Sequence, residues 1–402
     1  MARKAKRDLT MEEQLSRGPI DLPFLMLVLL LVGIGIVMVF SASFASAYYY
    51  KPDPYFYFKR QLIYAFLGVA VMYGVSRVNY QYLRALSFPM LLGSIVLLAL
   101  VLSPLGVNIN KATRWLKMFL IFGPSYQPSE IAKIAVILFF SAKLSKRGSR
   151  KKKKFTNRTF WGRFRNMLER IGFLELLPYG LWLGVVLLLI VKEPHMSGTI
   201  LTMIGAASVL FASGVSLWWF AAGGTLAATA LGLIIVATDY MTTRIEIWHN
   251  PWLDPLGKGF QPSQALIAIG SGGLLGKGLG QSIQKYLFLP EPENDYVFAI
   301  IVEELGFIGA ALILFLFALL VLRGYWLAIH ARDRFGMLTT IGITTLLAFQ
   351  VLFNIAVVTN TIPSTGISLP FFSFGGTALV MQLAEMGIIL SISRQIPAPK
   401  KD

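Results

Sequence analysis

Between Leu289 and Gly306 the sequence reads LPEPENDYVFAIIVEELG, a Pro-punctuated loop with three carboxylates (Glu291, Glu293, Asp295) that runs into an apolar segment carrying two more, Glu303 and Glu304. Carboxylates at the mouth of and inside an oily stretch are costly and ask for a function. Glu303 and Glu304 follow Asp295 by eight and nine residues. On a helix starting there they sit about 12–13 Å further along and on different faces. They cannot both join Asp295 in one site. Hydrolytic glycosidases flank one bond with two carboxylates. A transferase whose leaving group is a diphosphate needs less: one carboxylate as base on the attacking hydroxyl, and cations for the departing anion. Asp295, directly ahead of an apolar helix, reads either as such a catalytic base or as a helix N-cap. Arg60, Lys111, Arg114, Arg244, Lys258 and Lys277 are the expected cations at the diphosphate. No cofactor is required, although a divalent cation, Mg or Mn, could assist at the diphosphate.

Two further stretches carry chemistry. QPSEIAK, Gln127 to Lys133, puts Glu130 and Lys133 three apart on one helical face, either as an ion pair or as substrate ligands. TIPSTGISLPFFSFGG, Thr361 to Gly376, reads either as a tight turn or as non-helical backbone lining a cavity, with Ser368 and Ser373 as substrate-binding groups. Glu385 joins a buried polar network or glues helices. The chain has no Cys, and His195, His249 and His330 are too scattered for a metal cluster, so no metal ligands are assigned.

These residues need a scaffold, and composition names it. Of 402 residues 55% are apolar and 14% charged, and the mean hydropathy is +0.65. This is an all-α polytopic membrane protein, since in hydrocarbon each backbone polar group must be satisfied within its segment. Apolar windows place about ten transmembrane helices, near 21–43, 61–76, 83–103, 128–144, 173–191, 197–213, 216–237, 297–322, 336–358 and 376–394. SASFASA, Ser41 to Ala47, resembles a signal-peptidase site, but the preceding apolar run is too long for a signal peptide and is read as a retained span.

An even number of spans puts both termini on one side. That side holds 25 Lys and Arg against 11 opposite, with Lys133 inside a span, so the termini are expected in the cytoplasm. The organisation is then a cytoplasmic arm (1–20), one membrane domain (21–395) and a cytoplasmic tail (396–402). The domain includes a basic cytoplasmic loop (143–172) and a large structured extracytoplasmic loop (238–296) between helices 7 and 8. The net charge of +17 sits beside spans, which fits anionic lipid and no nucleic acid. Glycines in GSGGLLGKGLGQS (Gly270 to Ser282) suit tight turns and close backbone approach.

Together FYFKRQL, RWLKM, FGPSYQPSEIAK, GSGGLLGKGLGQSIQKYLFLPEPENDYVFAIIVEELG and IPSTGISLPFFSFGGT resemble the SEDS family (shape, elongation, division and sporulation), nearest its division and sporulation members. The resemblance covers nearly all spans. It implies a bacterial peptidoglycan glycosyltransferase of the cytoplasmic membrane that polymerises lipid II at the outer face. It also implies a class B penicillin-binding protein (a transpeptidase) and other divisome proteins as partners, and an essential carboxylate at Asp295. Two positions depart from the family pattern: His195 stands where an acidic residue is usual, and Asn294 where Thr or Ser is expected. Competing functions are a lipid II flippase or transporter, with Glu130, Lys133, Glu303, Glu304 and Glu385 as a relay, and a noncatalytic scaffold for a penicillin-binding protein.

Overall fold

The computed structural model describes residues 18–109, 112–116, 127–147, 166–167, 169, 172–237 and 239–396. In chain order the elements are α1 (Leu22–Tyr50), α2 (Phe56–Arg77), α3 (Tyr80–Val101), β1 (Gly106–Ile109), β2 (Ala112–Leu116), α4 (Pro128–Leu144), α5 (Phe173–Lys192), α6 (Met196–Ala212) and α7 (Leu217–Ala237). After these come α8 (Asp239–His249), a short 3-10 turn (Pro251–Leu253), α9 (Phe260–Gly272), α10 (Val297–His330), α11 (Arg334–Val358) and α12 (Gly376–Ser393). Every expected span is a helix. Six helices, α1, α3, α5, α10, α11 and α12, are long and apolar enough to cross a membrane, and α6 is a shorter apolar one. The expected terminal arm, basic loop and tail lie almost wholly outside the described residues.

Local chemistry sets the helix ends. Asp21 caps α1 by accepting from the Phe24 amide at 3.0 Å, with Pro following in the first turn. Asn79 and Asp333 cap α3 and α11 in the same way. The small residues of SASFASA continue α1 beyond the expected end to Tyr50, and Pro52 stops it. The Gly18 amide donates to the Arg394 carbonyl at 2.6 Å, so the two ends of the membrane domain meet on one face. At the centre stand α4 and α12, almost wholly buried, as helices enclosed by other helices must be.

The large loop is structured, as expected, but it does not stay above the bundle. At Gly306 (φ 69°) α10 breaks, which frees the carbonyls of Glu303 and Glu304 and the amides of Phe307 and Ile308. The segment after α9 takes over all four. Lys277 and Gly278 amides donate to Glu303 and Glu304 (3.0 and 2.9 Å), and Phe307 and Ile308 amides donate to Gly273 and Leu274 (2.9 and 3.1 Å). Gly276 (φ 77°) and Gly306 press backbone to backbone, where a Cβ on either would collide. Of the glycines expected in tight turns and close approaches, Gly272 and Gly276 meet backbone closely and Gly273, Gly278 and Gly280 take positive φ, whereas Gly270 lies in the last turn of α9 facing open space.

The break also explains the two helix carboxylates. Glu303 Oε1 pairs with Lys277 Nζ at 2.7 Å, and Glu304 Oε1 with Lys285 Nζ at 2.9 Å, both carboxylates fully buried. Ser41 of α1 donates to Glu304 at 2.7 Å, and the Ile283 and Gln284 amides donate to Glu303 (3.2 and 3.3 Å). They form one satisfied network, the condition under which buried charge is tolerated.

The connection 361–375 is non-helical and runs into the protein interior. Phe371 and Phe372 are buried against Phe317 of α10, with ring centroids 6.2 and 5.7 Å apart. Gly35 of α1 leaves room for the Phe371 carbonyl, which a Cβ would strike. The stretch is irregular backbone covered by protein, with a turn at 369–372 inside it. A β1–β2 hairpin, antiparallel with a bulge at Val107/Asn108, was not expected.

Candidate active site

Asp295 stands two residues ahead of α10, where an aspartate would ordinarily cap the helix. It does not. The cap position is Tyr296, no side chain bonds to the first turn, and no described residue donates a hydrogen bond to the Asp295 carboxylate. Its main-chain carbonyl accepts from Asn354 Nδ2 of α11 at 2.8 Å, and the same amide holds the Ile367 carbonyl at 2.7 Å. One buried Asn thus pins the loop before α10 to the inward-running segment. A Cβ on Gly366 (φ 73°) would lie 3.2 Å from Asp295 Oδ2, so the backbone there approaches the carboxylate closely.

Two guanidinium groups lie within electrostatic reach of Asp295: Arg114 from β2 and Arg244 from α8. Each is anchored by a main-chain carbonyl, Arg114 by Pro194 and Arg244 by Ser364. Trp248 and Asn360 exchange hydrogen bonds at 3.0 Å and fix α8 against the segment that bears Ser364. Burial and the nearby Glu291 charge push the half-buried Asp295 carboxyl up to about 6, while the arginines oppose the rise. A carboxylate poised near neutrality with unspent lone pairs is suited to take a proton.

The turn between α5 and α6 completes the surroundings. Glu193 is fully buried, and burial pushes its carboxyl to about 8 against the pull of Arg114. His195, with a ring nitrogen 3.2 Å from Ser129 Oγ, is pushed down to about 3 by burial and by Arg114 and Lys133, so the imidazole is neutral. The Ser197 hydroxyl donates to the Thr365 carbonyl at 2.5 Å and holds the loop beside Gly366.

The other expected site residues are distributed unevenly. Glu130 and Lys133 pair at 2.9 Å, both buried on α4 one turn below His195, with Glu385 of α12 within electrostatic reach. Lys277 is engaged by Glu303. The Lys258 ammonium is exposed and bonds to Thr243 at 3.3 Å. Arg60 lies over the Phe56 ring, 4.3 Å from its centroid. Ser373 Oγ accepts from the Leu369 amide at 2.7 Å, closing a turn, and Ser368 accepts from Gln350. Lys111 lies outside the described residues. The fold therefore joins Asp295 with Arg114 and Arg244, and links them through the Glu193–His195 turn to Lys133 and Glu130.

Sequence reasoning did not single out Asn354, Gln350, Lys285 or Ser197. An Asn or Gln inside an otherwise apolar run was a legible signal for the first two. Among the described residues no three His, Asp or Glu side chains converge as metal ligands. The charged groups within electrostatic reach of Asp295 are Glu291 and the two guanidinium groups, and the guanidinium pair suits a clamp on an oxyanion.

Known proteins are similar to this chain over nearly its whole length. The chain is 40% identical to stage V sporulation protein E of Bacillus subtilis, over 93% of this chain and 97% of the relative. It is 39% identical to the probable peptidoglycan glycosyltransferase FtsW of Geobacter sulfurreducens, over 94% of this chain and 95% of that one. A solved chain from a peptidoglycan synthase complex that coordinates polymerization and crosslinking superimposes with a TM-score of 0.71 at 25% identity, over 95% of this chain and 99% of that chain. The profile of the FtsW, RodA and SpoVE cell cycle proteins matches residues 22–397, and the chain belongs to that family.

Proposed function

We infer that this membrane protein is a peptidoglycan glycosyltransferase in which Asp295 is the catalytic base, acting on lipid II at the outer face of a bacterial cytoplasmic membrane in septal or sporulation wall synthesis. The observation that carries the assignment is the unspent carboxylate: Asp295 neither caps α10 nor accepts a side-chain hydrogen bond from a described residue, yet its main-chain carbonyl is held by Asn354. Arg114 and Arg244 supply positive charge for a diphosphate.

The acceptor sugar hydroxyl attacks C1 of the lipid-linked donor. The C1–O bond to the diphosphate breaks, and the diphosphate leaves with the electron pair. The hydroxyl proton passes to Asp295. Attack opposite the leaving group inverts C1 from α to β. Arg114 and Arg244 hold the departing anion, and neutral His195 keeps the adjoining turn free of a competing cation. Mg or Mn at the diphosphate remains an addition that this mechanism does not use.

The excess of basic residues on the terminal side supports cytoplasmic termini and an external Asp295. The likeness to a chain of a peptidoglycan synthase complex supports a class B penicillin-binding protein, within the divisome, as cross-linking partner. Its docking surface is proposed on the lipid-facing sides of α10 and α11, where Leu312 and Leu352 are both 58% exposed. Photocrosslinkers at these two positions should trap the partner's single span, and capture at neither would assign the partner another surface. Polymerisation of purified lipid II by purified protein, with and without that partner, tests the activity. Translocation without polymerisation would establish the flippase reading, with the buried Glu130–Lys133–Glu385 group as its headgroup path.

A further inference from the structure

The residue before Asp295 borders a second cavity. Asn294 lines a space of about 480 Å³ between the end of α1 (Ser46, Tyr50), the start of α2 (Tyr57) and the loop that carries Glu291 and Glu293. Glu293 is 2% exposed. Ser46 Oγ donates to its Oε1 at 3.3 Å and the Tyr57 hydroxyl also favours the charged carboxylate, while Oε2 takes no hydrogen bond of ordinary geometry from a described residue. Glu291, held at φ 45°, adds a like charge beside it. Burial and that charge hold the Glu293 carboxyl above the ordinary carboxylate range. A desolvated carboxylate oxygen without a donor is costly, and a like-charged neighbour raises the cost.

Among the described residues of the wall no cation relieves it. Lys285 also lines the cavity, but its ammonium is directed to Glu304 (2.9 Å), the Gly280 carbonyl (2.7 Å) and Ser41 (3.2 Å), three acceptors for three N–H donors. Two tyrosine rings flank the carboxylates. The Tyr57 ring already faces one ammonium, that of Lys51, at 5.9 Å from its centroid. A neutral sugar would offer donors yet leave the buried Glu293 charge uncompensated, whereas an ammonium group both donates and neutralises.

We propose that this cavity binds a primary ammonium group, held by the buried Glu293 carboxylate and flanked by the rings of Tyr50 and Tyr57. The ammonium can be carried by the peptide of the lipid-linked substrate, a source that rests on the glycosyltransferase reading, or by the ethanolamine headgroup of a surrounding lipid. In the first case the site selects the substrate by its peptide while Asp295 works on its sugar.

The test compares equilibrium binding of two lipid II preparations to purified protein in phosphatidylcholine nanodiscs. In one the stem peptide carries a free lysine amine, and in the other the same lysine is Nε-acetylated. Acetylation should weaken binding to the wild type about tenfold, the scale of one charge-assisted contact, and should make no difference to Glu293→Gln. Tyr50→Leu, at an exposed position, should cut the discrimination at least about threefold with unchanged thermal unfolding, which keeps the test valid if Glu293→Gln folds poorly. If acetylation has no effect but phosphatidylethanolamine stabilises the wild type and not Glu293→Gln, the ammonium comes from the lipid. Indifference to both, or discrimination that survives in Glu293→Gln, overturns the proposal. Binding needs no turnover, so this outcome is separate from polymerisation by Asp295→Asn, which would overturn only the catalytic assignment.

Discussion

The side-chain amide of Asn354 reaches two main-chain carbonyls at once, that of Asp295 at 2.8 Å and that of Ile367 at 2.7 Å. It holds together two irregular segments that have no ladder of their own. Replacing Asn354 by Leu keeps the volume and removes both donors, leaving buried carbonyls unsatisfied at about 1–3 kcal/mol each. The expected result is a lower unfolding temperature together with a fall in glycan synthesis larger than that of an equally destabilised variant elsewhere in α11. Equal losses would reduce Asn354 to a stability residue.

Asp295→Asn should insert and fold as the wild type does, because no described residue donates a hydrogen bond to the carboxylate. Polymerisation should fall at least about a hundredfold, the scale of a lost general base. With the carboxyl pushed up to about 6, the base form dominates above that pH. The wild-type rate should therefore be flat above about pH 7 and fall roughly tenfold per unit below 6, and the residual Asn rate should lack this limb. A wild-type profile flat down to pH 5 would exclude Asp295 as the titrating base.

Arg114 and Arg244 converge on Asp295, whereas Lys258 is exposed and bonded to Thr243. Arg114→Gln and Arg244→Gln should each lower the polymerisation rate about tenfold to a hundredfold, as for a charge-assisted contact worth ~1.5–3 kcal/mol in the transition state. Lys258→Gln should change the rate less than about twofold. The reverse ranking would move the diphosphate site toward the outer end of the loop.

Gly306 permits the break that admits the Gly273–Gly278 backbone. Gly306→Ala adds a Cβ at φ 69° in contact with the Gly276 amide, so the loop must retreat and release the Lys277–Glu303 pair. Thermal unfolding should drop more than for Gly33→Ala in α1, where a Cβ meets open space. Lys277→Gln should also lower stability, since it leaves Glu303 buried without its cation.

The orientation is open to a direct check in a chain with no native Cys. A single Cys at Leu256, 90% exposed in the large loop, should react with an impermeant maleimide in intact cells. One at Ser149, in the basic loop and outside the described residues, should react only after permeabilisation. The opposite pattern would put Asp295 on the cytoplasmic side.

The local code was enough for some of this protein. Apolar runs and caps such as Asp21 and Asn79 specify the helices, because a buried backbone must close its hydrogen bonds within the segment. Glu130 and Lys133 pair as their spacing allows, and Asp295 stood out as a carboxylate at the edge of an apolar helix. Periodicity, however, reports only which residues share a face of one helix. That Lys277 and Lys285 serve Glu303 and Glu304, that Arg114 and Arg244 arrive at Asp295 from β2 and α8, and that 361–375 runs inward to Phe317 depend on segments meeting across long sequence separations. Only the tertiary structure decides those meetings. The energy of each charge or open backbone group in the interior depends on which distant partner the packing brings to it.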